Sequence, residues 1–178
     1  MLIIIPTGRK RLLNMPKNNV KAIFYCGTNG AGKSTLRQFN HDSVNVIIDS
    51  DHIAKEINPN NPRAADIQAG KKSLRLYQQA IKEPTSFSME STLSGISVLQ
   101  RIAKAKQAEF EVILNYVGLK DPDLNIERVT NRVAAGGHWI DGDLIRKRFI
   151  ESRENLIHAI RLADTSYIYD NSGSYPIL

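Results

Sequence analysis

The sequence lacks the features that mark secreted, membrane-spanning or zinc-binding proteins. It contains one cysteine, Cys26, so no disulfide can form within the chain and a reducing compartment is expected. No apolar run approaches the roughly 18 residues that are needed to span a bilayer. No cluster of histidine and cysteine has the spacing of zinc ligands. We therefore expect a soluble, cytoplasmic protein in which Cys26 is a buried core residue rather than a catalytic thiol.

Aromatic residues are also scarce, at 7% of the chain, and Trp139 is the single tryptophan. Binding of nucleic acid by base stacking therefore has no evident platform. Acidic residues are outnumbered, 18 against 24 basic ones, and the net charge of +6 favours a phosphate-rich partner. Charge alone does not distinguish a nucleic acid from a nucleotide-linked small molecule, so both partners stay open at this point.

The chain is long enough for one domain with a full core. Its 178 residues are 42% hydrophobic, and a second large domain would not fit. Residues 1–19 are basic and contain Pro6 and Pro16, so we expect a solvated N-terminal extension with little structural role. A nucleic-acid-binding arm built on Arg9-Lys10-Arg11 is the alternative. Residues 20–178 are expected to form the single domain.

A glycine-rich stretch follows the first convincing apolar run. It reads Gly27-Thr28-Asn29-Gly30-Ala31-Gly32-Lys33-Ser34, with Thr35 next, and fits the phosphate-loop pattern G-x-x-x-x-G-K-S. In such a loop, backbone N–H groups and the start of the following helix bind phosphate oxygens. Lys33 would contact the β- and γ-phosphates of ATP, and the Ser34 hydroxyl would bind Mg²⁺. The alternative, a glycine-rich turn that fits by chance, is disfavoured by the apolar run before the loop and the helical run after it.

Short apolar runs alternate with longer helical ones from residue 20 onward, which is typical of an α/β domain. The predicted strands are 22–26, 44–48, 85–89, 111–117 and 167–169, and the predicted helices lie near 32–40, 63–82, 94–109, 122–135 and 141–162. Gly136-Gly137 separates the last two helices and predicts a small lid segment. The expected fold is a P-loop NTPase three-layer sandwich with a mostly parallel five-stranded sheet.

Polar residues follow the predicted strands at the sheet edge where such folds bind ligands. Asp49 and Asp51 come after the second strand; Asp49 would lie nearer the magnesium, and Asp51 would accept a proton from a substrate hydroxyl. A helix N-cap is the simpler role for Asp51. Glu90 ends the third strand and would order Mg²⁺ or contact the substrate, whereas Thr92 would either bind a substrate phosphate or cap the next helix.

Basic residues on the predicted fourth helix could neutralise a transferring phosphoryl group. Arg128 and Arg132 are four residues apart and so lie on one helix face, although a solvated face is the alternative. His138 lies in the predicted lid and could contact phosphate, unless it is structural. Asn171 follows the last strand and could contact the adenine edge, or it could belong to an ordinary turn.

These motifs, taken in order, resemble the zeta toxin family of P-loop kinases, especially its short stand-alone members, over about residues 21–173. The matching motifs are Gly27 to Thr35, Ile48-Asp49-Ser50-Asp51, residues 86–95 around Glu90, Ile126-Glu127-Arg128-Val129 with Arg132-Val133, Gly136-Gly137-His138, and Tyr169-Asp170-Asn171-Ser172.

The resemblance implies ATP-dependent phosphorylation of a sugar hydroxyl of UDP-N-acetylglucosamine, with an antitoxin protein as a partner in toxin systems. It also implies that Lys33 is the phosphate lysine, Asp51 the base and Arg128 a transition-state arginine. The family's second arginine falls near His138 by spacing, so its role could pass to His138, Arg132 or Arg146. The helix that carries a substrate-binding acid in the larger toxins has no convincing counterpart in residues 71–82.

Two other functions use the same motifs. A polynucleotide 5′-hydroxyl kinase would share the phosphate loop and the aspartate, and it would suit the positive charge. A nucleotide-dependent switch or binding module would hydrolyse ATP to control contact with a partner. The closely spaced Asp49 and Asp51 favour a kinase, because a switch positions water rather than a substrate hydroxyl.

Overall fold

The apolar runs form the strands of one twisted sheet, and the amphipathic runs form helices on its two faces. The computed structural model describes residues 2–6, 20–134, 137 and 139–173. The strands in these ranges are β1 Leu2–Pro6, β2 Lys21–Cys26, β3 Val46–Ile48, β4 Phe87–Ser91, β5 Glu111–Gly118 and β6 Thr165–Asp170. The α-helices are α1 Lys33–Asn40, α2 Ser50–Ile57, α3 Asp66–Lys82, α4 Ile96–Gln107, α5 Pro122–Ala134 and α6 Gly142–Leu162, with a 3₁₀ turn at Pro62–Ala65.

The strand order across the sheet is β1-β6-β5-β2-β4-β3. Strands β2 to β6 are parallel to one another, and β1 pairs antiparallel with β6. The central strand β2 is buried from Ala22 to Cys26, as expected for a parallel strand covered on both faces. The five parallel strands place their carboxyl ends at one edge of the sheet, and the predicted α/β fold is confirmed.

The alternating side chains of β2 divide the core into two layers. Phe24 and Cys26 pack in the larger layer with residues of α3, α4 and α6, whereas Ile23 and Tyr25 pack with Leu36 of α1. The larger layer contains an aromatic cluster in which the ring of Phe87 makes edge contacts with the rings of Phe24, Tyr77 and Phe110. The sheet therefore separates two helical layers, and this is the expected three-layer sandwich.

Cys26 is buried within this core, as predicted from the sequence. Its exposed fraction is 0%, and burial raises the pKa of its thiol to about 12. A thiol with that pKa is almost entirely protonated at neutral pH and is a poor nucleophile. Within the described residues, no helix has the length and apolar character that crossing a membrane requires.

The N-terminal part of the sheet differs from the prediction. Leu2–Pro6 forms a sixth strand whose register runs from Leu2 opposite Tyr169 to Pro6 opposite Thr165. The expectation that residues 1–19 have little structural role is therefore wrong for Leu2–Pro6, because the backbone of β6 offers an edge for pairing. Residues 7–19 lie outside the described residues. The single domain over residues 20–178 stays a prediction.

Two helical segments also differ from the sequence prediction. The predicted helix 63–82 is divided into the 3₁₀ turn Pro62–Ala65 and α3, Asp66–Lys82. Helix α2 begins at Ser50, one residue before Asp51, for which the sequence offered the role of helix N-cap. The reason is that Asp49, directly after β3, caps the helix and allows it to begin at the next residue.

Candidate active site

The glycine-rich loop lies between β2 and α1 with the backbone curvature that its glycines permit. Gly27 and Gly32 have φ angles of 139° and 105°, which other residues rarely adopt. A Cβ on Gly27 would lie 2.2 Å from the Val117 carbonyl oxygen, and a Cβ on Gly32 would lie 2.6 Å from Nδ2 of Asn171. These positions must therefore be glycine for the loop to pack against β5 and the segment after β6.

Lys33 is held inside the loop before any phosphate is bound. Its Nζ donates a hydrogen bond to the Thr28 carbonyl oxygen at 3.2 Å. Burial lowers the pKa of Lys33, and the carboxylates of Glu90 and Asp51 oppose that shift. A phosphate oxygen beside Nζ would stabilise the charged ammonium group further, so the buried lysine is suited to bind an anion.

A cavity of 760 Å³ opens in front of the loop at the carboxyl ends of the strands. It brings together most of the residues that the sequence singled out: Asn29, Gly30, Gly32, Lys33, Ser34, Thr35, Asp49, Asp51, Glu90, Thr92, Arg128, Arg132 and Asn171. Thr28 and Ala31, which also belong to the loop, are buried, with 3% and 1% exposed, and are not among the residues that line the cavity. His138 lies outside the described residues.

The two aspartates after β3 have different environments. Asp49 is the N-cap of α2, because its Oδ1 accepts hydrogen bonds from the amides of Asp51 at 3.1 Å and His52 at 3.2 Å. The alternative in which Asp51 caps this helix is therefore wrong. Asp51 lies in the first turn of α2, is exposed, and lines the cavity. Because Asp49 caps the helix, the Asp51 carboxylate is not needed as the cap.

Glu90 is fixed by contacts with two residues of α1. Its Oε2 accepts a hydrogen bond from the Ser34 hydroxyl at 2.9 Å, and its Oε1 accepts one from Nε of Arg37 at 2.7 Å. Nη2 of Arg37 also lies 3.4 Å from Oδ2 of Asp49. Arg37 is not among the residues singled out from the sequence. Arg37 lies four residues after Lys33, which places the two side chains on one helix face.

The oxygen atoms of this region fit Mg²⁺ only if a bound ligand completes the coordination. Within the described ranges there is no group of three or more His, Cys, Asp or Glu side chains that could hold a metal ion. Magnesium commonly binds through one or two protein oxygens, with phosphates and waters as the other ligands. The Ser34 hydroxyl and the Glu90 carboxylate offer such a pair. Both carboxylate oxygens of Asp49 have protein partners, as do both of Glu90, so the role of Asp49 beside the metal stays a prediction.

Asn29 of the loop is held from two helices. Its carbonyl oxygen accepts a hydrogen bond from Nδ2 of Asn125 on α5 at 2.7 Å. Its Oδ1 accepts one from Nη1 of Arg148 on α6 at 2.9 Å. The sequence singles out Arg146 in this segment and not Arg148. The structure places Arg148 in the cavity, and Arg146 pairs with Asp123 at the surface.

The predicted arginines of α5 also reach the cavity. Arg128 donates a hydrogen bond from Nη2 to the Asn171 carbonyl oxygen at 2.8 Å, and Arg132 lines the cavity one helical turn further on. The alternative of a solvated face is therefore wrong for the partly buried Arg128, whereas Arg132 is exposed and lines the cavity. Four arginines line the cavity, Arg101, Arg128, Arg132 and Arg148, and several guanidinium groups suit a ligand with several negative charges.

Asn171 and Thr92 line the cavity in positions that the sequence could not specify. Asn171 donates from Nδ2 to the Ala31 carbonyl oxygen at 2.9 Å, so it supports the phosphate loop. Its role beside adenine stays a prediction. Thr92 shares a hydrogen bond of 2.7 Å with Ser94, and Gly95 is the N-cap of α4. The alternative in which Thr92 caps that helix is therefore wrong.

A second cavity of 290 Å³ adjoins the first. Both are lined by Ser34, Asp49, Asp51 and Arg132, and the second continues along α2 to Lys55, Pro62 and Asp66. Next to Pro62, the guanidinium of Arg63 lies 5.6 Å from the ring centre of Trp139. This contact joins the segment before α6 to the turn before α3. Asp51 thus lines both the cavity in front of the glycine-rich loop and a smaller polar one.

Comparison with known proteins agrees with this geometry. The family model for zeta toxin matches residues 8–176 of the chain. The chain belongs to the zeta toxin family. It is 54% identical to an uncharacterized protein of Haemophilus influenzae over 141 residues, which cover 79% of this chain and 99% of that protein.

Two solved structures have a similar fold. One, from the PezAT chromosomal toxin-antitoxin system of Streptococcus pneumoniae, has a TM-score of 0.61 and 17% identity, covering 90% of this chain and 70% of that chain. Another, from the Pnkp1/Rnl/Hen1 RNA repair complex, has a TM-score of 0.61 and 14% identity, covering 78% and 46%. At these identities the likeness concerns the fold, which is the kinase-like P-loop fold of the zeta toxin family.

Proposed function

We propose that the protein is an ATP-dependent kinase that phosphorylates a hydroxyl group of a small phosphorylated acceptor. The family resemblance favours a nucleotide sugar, UDP-N-acetylglucosamine, as that acceptor. The observation that carries the proposal is the position of Asp51, which lines both the cavity of the phosphate loop and the smaller cavity beside it. ATP would occupy the first cavity, and the acceptor would reach Asp51 from the second.

The phosphate loop would hold ATP through its backbone amides and Lys33. Lys33 is already buried and directed to the loop by its bond to Thr28, so little reorganisation is needed when phosphates bind. Ser34 and Glu90 would hold Mg²⁺, which would neutralise charge between the β- and γ-phosphates. Asn171 would stay behind the loop and support the carbonyl oxygen of Ala31.

Asp51 would accept the proton of the acceptor hydroxyl. As the acceptor oxygen forms a bond to the γ-phosphorus, its proton passes to the Asp51 carboxylate. The bond between the γ-phosphorus and the bridging oxygen breaks, and ADP leaves with the electron pair of that bond. Arg128, Arg132 and Arg148 would stabilise the negative charge spread over the transferring oxygens. His138 stays a predicted contributor from the lid.

The second cavity has the size and charge for a sugar with an anionic substituent. It is lined by the cationic side chains of Lys55 and Arg132 and by the carboxylate of Asp66, which could accept hydrogen bonds from sugar hydroxyls. The exposed ring of Trp139 contacts Arg63, which directly follows Pro62 of the cavity lining. An acceptor longer than a monosaccharide could continue past these two residues.

The test is a phosphate-transfer screen with ATP and Mg²⁺ across UDP-sugars, nucleosides and oligonucleotides. We expect transfer to a nucleotide sugar and no labelling of an oligonucleotide. Labelling of the oligonucleotide alone would instead identify a polynucleotide kinase. Slow hydrolysis that no small acceptor increases, but that a protein partner changes, would identify a switch. An antitoxin partner is proposed only from the family resemblance and would be sought by co-purification.

A matched pair of variants tests the base. Asp51 and Asp143 each lie in the first turn of a helix, two residues after an aspartate N-cap. Asp51→Asn should lower kcat by about 100-fold or more, since general-base catalysis contributes about 10²–10⁴-fold. It should leave ATP binding intact. Asp143→Asn should behave as wild type. Full transfer by Asp51→Asn would refute the assignment of the base.

A further inference from the structure

Arg37 is a charged side chain at the site that the proposed reaction does not use. Its side chain is 17% exposed, and it bridges Glu90, at 2.7 Å from Nε, and Asp49, at 3.4 Å from Nη2. The two carboxylates belong to the carboxyl ends of the neighbouring parallel strands β4 and β3. One guanidinium group therefore connects two strand ends that otherwise present charges of the same sign to each other.

Each of these carboxylates uses its two oxygens for different contacts. Glu90 binds Ser34 through Oε2 at 2.9 Å and Arg37 through Oε1. Asp49 accepts the amides of Asp51 and His52 through Oδ1 and faces Arg37 through Oδ2. A continuous chain of contacts thus runs from the phosphate loop to the first turn of α2. Arg37 is the link between its two halves.

The limited exposure of the three side chains makes the link difficult to replace by water. The Glu90 and Asp49 side chains are 9% and 12% exposed. If the cation is removed, two partly buried carboxylates face each other without compensation. A lysine could approach one of them, but a compact ammonium lacks the planar fork with which a guanidinium donates to two acceptors in fixed directions.

We propose that Arg37 is a positioning residue of the kinase reaction. It fixes the Glu90 carboxylate against Ser34, and through Asp49 it fixes the first turn of α2, so that Asp51 stays between the two cavities. The inference rests on the proposed function, because it assigns Asp51 and Glu90 their roles there. Arg37 also lines the second cavity, but its guanidinium is engaged by Glu90 and Asp49. Loss of residues that orient metal or phosphate ligands typically costs about 10–100-fold in affinity or activity.

The experiment compares Arg37→Gln and Arg37→Lys with Arg75→Gln, a control on the exposed surface of α3. Three quantities are measured on the full chain: kcat and KM with ATP and acceptor, affinity for ADP without metal, and hydrogen–deuterium exchange of residues 50–57. The first turn of α6 is the internal reference for exchange. There Oδ1 of Asp141 accepts hydrogen bonds from the amides of Asp143 and Leu144, as Oδ1 of Asp49 accepts those of Asp51 and His52 in α2.

For Arg37→Gln we expect a decrease in kcat of about 10–100-fold, as for other orienting partners. We also expect unchanged ADP affinity and faster exchange in residues 50–57 but not at the start of α6. Arg37→Lys should be intermediate, and Arg75→Gln should equal wild type.

Unchanged exchange at residues 50–57 in a folded Arg37→Gln or Arg37→Lys protein would overturn the proposal. So would a loss of thermal stability and ADP affinity as large as the loss of kcat, because Arg37 would then be only a structural ion pair. The exchange experiment needs no acceptor. If wild-type protein transfers phosphate to no acceptor while the exchange of α2 still responds to Arg37, the proposed function fails but the connection to α2 stands.

Discussion

At the scale of single residues, the site depends on which charged group each side chain meets. Arg146 and Arg148 are two residues apart on α6, yet one pairs with Asp123 at the surface and the other contacts Asn29 of the phosphate loop. Burial lowers the pKa of Lys33, so a phosphate oxygen beside Nζ would favour its charged form. Two arginines in one short segment of α6 therefore have different contacts.

Arg148 is expected to contribute to catalysis, whereas Arg146 is not. Arg148→Gln should lower kcat about 100-fold, because removing one donor to developing negative charge commonly costs about 10²–10³-fold. Arg146→Gln should change kcat little, since exposed ion pairs contribute only about 0–1 kcal/mol. Steady-state kinetics of both variants provide the measurement. Equal effects of the two substitutions would contradict the assignment of Arg148.

Lys33→Met should separate stability from binding. Without ligand, the variant should be more stable than wild type, because it no longer buries an ammonium group, and it should not bind ATP. The folded pKa of Lys33 lies below its ordinary value of 10.5, so the unfolded chain binds more protons in the window beneath that pH. Wild-type stability should therefore rise relative to Lys33→Met as pH approaches 10.5, which urea denaturation at several pH values would measure. A constant difference would contradict this prediction.

At the scale of elements, the parallel strands and the helices around them form the site, and β1 stays peripheral. The buried core residues come from the elements after residue 20, and none of them is among residues 2–5. In β1, Leu2, Ile3 and Ile4 are 51%, 43% and 57% exposed. Pairing with β6 therefore extends the sheet without adding to its buried layers.

Deletion of residues 1–14 should leave the fold and the nucleotide site intact. The truncated chain loses backbone pairing with β6 and little buried apolar area, so thermal stability should fall modestly while ATP binding is unchanged. Calorimetric unfolding and an ATP titration would measure both quantities. Loss of cooperative unfolding would show that β1 is required for the fold. Phe87→Ala is the comparison, because removing this fully buried ring should cost about 3–5 kcal/mol.

At the scale of the whole molecule, the two cavities lie between three groups of elements. The glycine-rich loop and α1 form the base, α5 and α6 bring Arg128, Arg132 and Arg148, and α2 with the turn before α3 forms the third group, where we propose that the acceptor binds. The contact of Arg63 with Trp139 joins the last two groups. Binding of both substrates should therefore change this contact.

The fluorescence of Trp139 should report that event, because it is the only tryptophan of the sequence. ATP together with the acceptor should shift its emission more than ATP alone. Arg63→Gln should change the emission of the ligand-free protein, since the cation no longer lies over the ring, and should raise KM for the acceptor but not for ATP. An emission spectrum that saturating substrates leave unchanged would contradict the prediction.

The sequence by itself determined the phosphate loop, the α/β fold and most strand positions, because these depend on local patterns. Gly27 and Gly32 specify the backbone conformation of the loop. Short buried apolar runs specify the strands in the same local way. The positions of Lys33, Ser34 and Asp51 relative to their strands followed from the same local order, and these residues do lie together at the cavity.

Only the tertiary structure decided which distant side chains meet at the site. Arg37 with Asp49 and Glu90, Arg148 with Asn29, and Asn171 with Ala31 are contacts between segments 12 to 140 residues apart. The choice of Asp49 rather than Asp51 as the cap of α2 likewise depends on where β3 ends against β4. Such contacts depend on helix rotation and strand register. Both are determined by packing of the whole core and cannot be predicted from a short segment of sequence.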